Sequence, residues 1–167
     1  MKKYIYLLLS ICTAILLMNC EAGNSVTYNY TLENQSGVPI RLKLYSLDEE
    51  GKISLTTYMN LDNGEKFEKK TKLYPPSFDY NFVDFFRQRD GTPNTMEVIY
   101  NNQKKTVFFE QRYTNVVKNT CEDTFGKEVP CDPRNLLNTF IYSNVNEHYI
   151  FTAEDYQQAE DCKGDCE

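Results

Sequence analysis

Residues Val26-Thr-Tyr-Asn-Tyr-Thr-Leu-Glu33 alternate strictly between apolar and polar side chains. Val26, Tyr28, Tyr30 and Leu32 fall on one face of an extended chain, and Thr27, Asn29, Thr31 and Glu33 on the other. A period of two suits a half-buried strand and no amphipathic helix, whose apolar positions recur every three or four residues. After the turn Asn34-Gln-Ser-Gly37 the alternation returns through Val38, Ile40, Leu42 and Leu44. Asp48-Glu49-Glu50-Gly51 then turns the chain, and Ile53 to Met59 is predicted to pair back as a hairpin partner.

Asp62-Asn63-Gly64 is a turn signal, because Asn and Gly accept positive φ. A short strand is expected over Glu65–Lys70, and Pro75-Pro76 blocks a helix there. Phe78 to Phe86 is aromatic and apolar on both faces, which reads as a central strand, with a loop over Arg87–Asn94. Thr95–Tyr100 and Lys104–Glu110 flank Asn101-Asn102-Gln103 as a tight hairpin of β-branched and aromatic strands. Gln111–Arg134 breaks the rhythm and reads as an irregular excursion, and Asn135–Tyr142 is ambiguous between a helical turn and a strand. His148–Phe151 reads as a strand, and Thr152-Ala-Glu-Asp155 as a capping box opening a short helix through Tyr156 and Ala159. Short strands with frequent turns and little helix predict a mainly β fold: a single β-sandwich of about seven strands, immunoglobulin-like or transthyretin-like, with a short C-terminal helix. Strand order is not readable from the alternation, and the chain holds no internal repeat or low-complexity stretch.

The first residues carry a different signal. Met1-Lys2-Lys3 is followed by an almost unbroken apolar run from Tyr4 to Met18. A short basic segment before an apolar stretch of about 7–15 residues is the secretory pattern, and it falls short of the roughly 20 residues a membrane-spanning helix needs. Leu17-Met18-Asn19-Cys20 stands where cleavage is expected and resembles a bacterial lipobox, with Asn19 in place of the usual small residue. Its thiol is the nucleophile that takes up the diacylglycerol. The expected organisation is therefore a signal helix over residues 1–19, a tether over 20–25, the sandwich over 26–160 and an acidic, cysteine-containing tail over 161–167. Ordinary cleavage after Ala22 is the competing reading. Two or three acyl chains would hold such a protein firmly, since each buried CH₂ contributes about 0.8 kcal/mol and a single chain is marginal.

Removing residues 1–19 takes away two lysines and no acid, making the chain more acidic than its formal charge of −6. Such a surface argues against nucleic-acid binding, which needs cations to neutralise phosphates. Cys12 leaves with the signal and Cys20 takes the lipid. Cys121, Cys131, Cys162 and Cys166 remain, and in an oxidising compartment an even number reads as disulfides. Proximity favours Cys121–Cys131 and Cys162–Cys166 among the three possible connectivities. A thiolate metal site with His148 is the alternative. The Cys162-x₃-Cys166 spacing suits zinc, and Cys121-x₉-Cys131 does not.

No catalytic residues, metal site or cofactor motif are assigned. A hydrolase triad needs a base, and the only histidine, His148, reads more simply as structural. No Gly-rich phosphate loop or His-Glu-x-x-His is present. Asp48-Glu49-Glu50 lacks the ligand spacing of a calcium loop and reads as a solvated turn. The 13 Tyr and 10 Phe have two uses: filling a sandwich core, or forming an exposed binding face.

Leu-Met-Asn-Cys20, the opening strand Tyr28-Asn-Tyr-Thr-Leu-Glu-Asn34, the segment Arg134-Asn-Leu-Leu-Asn138 and the ending Tyr149-Ile-Phe-Thr-Ala-Glu-Asp-Tyr156 together resemble small lipoproteins of the Bacteroidota. The resemblance spans most of the chain after Cys20 and implies a β-rich envelope domain; it lends no activity. The expectation is an outer-membrane lipoprotein, facing periplasm or cell surface, held to the membrane by its N-terminal lipid. Its domain is expected to bind a protein, a glycan or a toxin rather than catalyse. A structural subunit of a surface assembly and a hydrolase are the alternatives.

Overall fold

The computed structural model describes residues 24–47, 52–77, 79–88, 91–115, 118–164 and 166. The expected signal segment, Cys20 and the turn at Asp48–Gly51 lie outside these residues.

The opening alternation forms strand β1 (Val26–Gln35) and the second one β2 (Ile40–Leu47). The remaining strands are β3 (Ile53–Leu61), β4 (Lys66–Leu73), β5 (Thr95–Tyr100), β6 (Lys104–Phe109), β7 (Gln111–Asn115), β8 (Thr120–Asp123), β9 (Glu128–Pro130), β10 (Asn146–Thr152) and β11 (Glu160–Asp161). Two short helices interrupt them: α1 (Phe82–Phe86) and α2 (Ala153–Gln158). The protein is mainly β, with the short C-terminal helix expected.

Strand order defines three sheets: β10-β1-β4, β11-β6-β5-β2-β3 and β7-β8-β9. The first two each turn one face into a common core. Tyr28, Tyr30 and Leu32 of β1 and Tyr149 and Phe151 of β10 meet Leu42 and Leu44 of β2 and Met96, Val98 and Tyr100 of β5 in a single buried cluster. Full burial of one such side chain contributes about 1.5–3 kcal/mol, so this shared layer supplies most of the driving force for the sandwich. Asn34, at the end of β1, ties the layers together: its amide donates to the carbonyls of Leu61 at 2.9 Å and Val38 at 2.8 Å.

β1 lies at the centre of its sheet, antiparallel to β4 and parallel to β10. The β2–β3 and β5–β6 hairpins form where the sequence predicts them. In the second hairpin, Asn101 and Asn102 both take positive φ, a conformation Asn tolerates better than most side chains. The capping box also forms: the Thr152 hydroxyl accepts from the Asp155 amide, and the Asp155 carboxylate accepts from the Thr152 amide.

Two segments differ from expectation. The run read as a central strand over Phe78–Phe86 instead forms α1. Asn81 interrupts it as an N-cap, its side-chain oxygen accepting from Val83 N at 2.8 Å and Asp84 N at 3.2 Å. Phe82, Val83, Phe85 and Phe86 are all buried, at i, i+1, i+3 and i+4, which is a helical spacing. The supposed irregular excursion contains the third sheet, making eleven strands among the described residues rather than about seven. Asn135–Tyr142, left open between helix and strand, is a succession of turns. Both expected disulfides are present, Cys121–Cys131 and Cys162–Cys166.

Candidate functional site

The sheet β10-β1-β4 turns Asn29, Thr31, Glu33 and Gln35 away from the core, together with His148 of β10 and Lys66 of β4. Register decides which groups meet. Glu33 stands directly opposite Lys66 in the antiparallel pair, and His148 is paired with Thr31 in the parallel one. Three side chains close over the Glu33 carboxylate: Gln35 Nε2 at 2.6 Å, His148 Nε2 at 2.8 Å and Lys66 Nζ at 2.9 Å. They leave Glu33 only 6% exposed although it belongs to the solvent face. The Gln35 hydrogen bond first, then Lys66 and His148, lower its pKa to about 2 against the opposing effect of burial. His148, the only histidine, is thus engaged with a carboxylate on the outward face of this sheet. A shallow groove of about 390 Å³ runs alongside, lined by Asn29, Thr31, Glu68 and Asn146 among others.

This cluster makes a pH prediction. Because the folded-state pKa of Glu33 lies below its ordinary value, the stability it contributes is fully present above about pH 4.5 and is lost as the pH falls towards 2. Thermal unfolding of wild type and Glu33→Gln should therefore show a smaller pH dependence for the variant across that interval. Parallel curves would contradict the arrangement.

The segments Arg134–Asn138 and Tyr149–Tyr156 also come together. The Arg134 guanidinium binds Asp155 through two nitrogens, at 3.0 and 2.5 Å, donates to Ile150 O at 2.7 Å, and lies 4.3 Å over the Tyr149 ring. Asp155 is also the capping-box carboxylate of α2, so this fork anchors the C-terminal helix to β10. Its geometry is that of a brace, with Nε and Nη2 both bonded to the protein itself.

The outward face of the five-stranded sheet is different in character. Cross-strand register lays out two rows: Tyr58, Lys43, Glu97 and Val107, and beside it Leu55, Tyr45, Thr95 and Phe109. The polar groups gather in the middle. Glu97 accepts from Tyr45 Oη at 2.8 Å and from Lys105 Nζ at 3.1 Å. Burial and this carboxylate push the Tyr45 phenol up to about 12. Towards the flanks the surface is apolar: Tyr58 is 65% and Leu55 53% exposed, Ile53 and Val107 are exposed too, and Phe109 stacks edge-on with exposed Phe125 at 5.4 Å. The tyrosines and phenylalanines therefore divide between the two uses the composition allowed. Ten of the described rings are buried in the core, and Tyr58, Phe109 and Phe125 stand on this face.

Of the expected site residues, the four cysteines are paired and Cys20 lies outside the described residues. No group of three or more metal-ligating side chains occurs among the described residues, and no described helix is long and apolar enough to cross a membrane. Compared with family models, curated proteins and solved structures, the chain matches none.

Proposed function

We propose that this chain is a lipid-anchored protein of the bacterial outer envelope that works by binding, offering the outward face of its five-stranded sheet to a protein partner. The observation that carries the reading is that face. Apolar side chains clustered on a protein surface mark interaction sites, and exposed Tyr and Phe are among those that anchor protein interfaces. Ile53, Leu55 and Tyr58 form one such cluster and Val107, Phe109 and Phe125 another, on either side of the polar group around Glu97. The Cys20 lipobox supplies the anchor, and the disulfides suit an oxidising compartment.

Two measurements test the two halves. Cys20→Ala should move the protein from the membrane to the soluble fraction; retention at the membrane would remove the anchor from the reading. Cross-linking in native membranes should yield a partner with the wild type that Val107→Glu/Phe109→Glu fails to capture. An unchanged set of products with that variant would remove the face.

A further inference from the structure

Each free strand edge among the described residues can be asked what protects it. An unpaired edge exposes N–H and C=O groups to any passing strand, and proteins blunt such edges with lysines, prolines, short length or a covering group. β4 carries Lys66, Lys69, Lys70 and Lys72 along eight residues. The edge of β10 is capped at Ile150 by the Arg134 guanidinium. β11 is two residues long, and β9 is three residues long and ends in proline. β7 is five residues long, carries Arg112 and is bridged at Gln111 to Asn138. β3 differs from all of these. It is nine residues long, Ile-Ser-Leu-Thr-Thr-Tyr-Met-Asn-Leu, and holds no charged residue and no proline. It ends the order of its sheet, paired with β2 alone, and most of it is exposed. Its one irregularity is a bulge between Leu55 and Thr57, which leaves the five residues from Thr57 to Leu61 in regular register.

From this contrast we infer that β3 is a self-association edge, at which a second copy of this chain adds its own β3 antiparallel and joins two five-stranded sheets into one of ten. Charge selects this occupant. In an antiparallel pair of identical strands every residue opposes one from the same segment, and like charges placed opposite each other are destabilising. Self-pairing through β4 would set lysine against lysine, whereas through β3 it opposes no charge at all. It would also draw Leu55 and Tyr58 of both copies, otherwise in water, towards a common seam. The contact is isologous, the same strand meeting itself about a two-fold axis, so it closes as a dimer and does not propagate. It takes Leu55 and Tyr58 from one flank of the sheet face proposed to bind a partner, whereas Val107 and Phe109 belong to that face alone.

The test is the protein mass of the full chain, purified in detergent, by light scattering across a concentration series. Wild type should give two chains at the upper concentrations. Leu55→Lys/Tyr58→Lys brings four lysines to the seam of the pair and should give one chain. Val107→Lys, three strands from the edge, should still give two. A one-chain mass for wild type at every concentration, or a two-chain mass for the double lysine variant, overturns the inference. So does a one-chain mass for Val107→Lys, which would mean that the copies stack face to face. Hydrogen exchange on the unaltered protein gives an independent reading. Amides of residues 53–61 should exchange more slowly as concentration rises, and concentration-independent exchange there counts against the edge whatever the variants do.

Discussion

Phe82→Ala should cost about 3–5 kcal/mol of stability, the range for deleting a large aromatic side chain from a packed core. Phe82 is fully buried, and its ring lies 4.9 Å from that of Tyr30, 5.4 Å from Phe85, 5.5 Å from Tyr142 and 6.4 Å from Tyr149. It therefore joins α1 to β1, to β10 and to the turn region that holds Tyr142. The neighbours have little room to collapse into the space left behind. Tyr30 is held by its hydroxyl, whose single proton is shared between the carbonyls of Tyr80 at 2.7 Å and Tyr142 at 3.0 Å. Chemical denaturation should show a lower midpoint with little change in slope. A loss below about 1 kcal/mol would mean that the aromatic cluster repacks, contrary to the close packing described.

Cys121→Ser/Cys131→Ser should cost about 3 kcal/mol by the loop-entropy relation, since the bond closes a loop with a sequence separation of 10. The bond fastens β8 to the residue after β9, within a sheet of three short strands that has little core of its own. The loss should accordingly be local. Amides of residues 120–130 should gain the most in hydrogen exchange, while those of β1 and β2 stay protected. Equal loss of protection everywhere would show that the third sheet and the sandwich unfold as one unit.

What the sequence made legible was the part of the fold written in neighbouring residues. Tyr28, Tyr30 and Leu32 alternate, so β1 and its buried face follow; Asn101-Asn102 suits the β5–β6 turn; Thr152 and Asp155 stand at capping-box spacing. The cysteine pairings followed from proximity. Elsewhere two local signals competed. The aromatic density of Phe78–Phe86 masked Asn81, whose cap splits the run, and the helical spacing of Phe82, Val83, Phe85 and Phe86 reads equally as a two-faced strand. The sites depended on partners far apart in the chain. Nothing near Glu33 announces His148, because their meeting requires β1 and β10 to lie parallel in one register. The bare character of β3 is visible in its composition, but it matters only once the strand is known to end its sheet.

The parallel pairing of β1 with β10 has a consequence for the order in which the molecule can be completed. A ribosome or a secretion channel delivers β1 first and β10 after some 110 intervening residues, and closing so long a loop is slow because its entropy is lost before the contact is gained. Until Asn146–Thr152 arrive, β1 has β4 on one side and an open row of backbone groups on the other, with Tyr28, Tyr30 and Leu32 incompletely covered. The strand that begins the domain is thus finished only by the strand that nearly ends it. A nascent or half-delivered chain is consequently one that holdase chaperones should recognise, and release should coincide with delivery of the last strand.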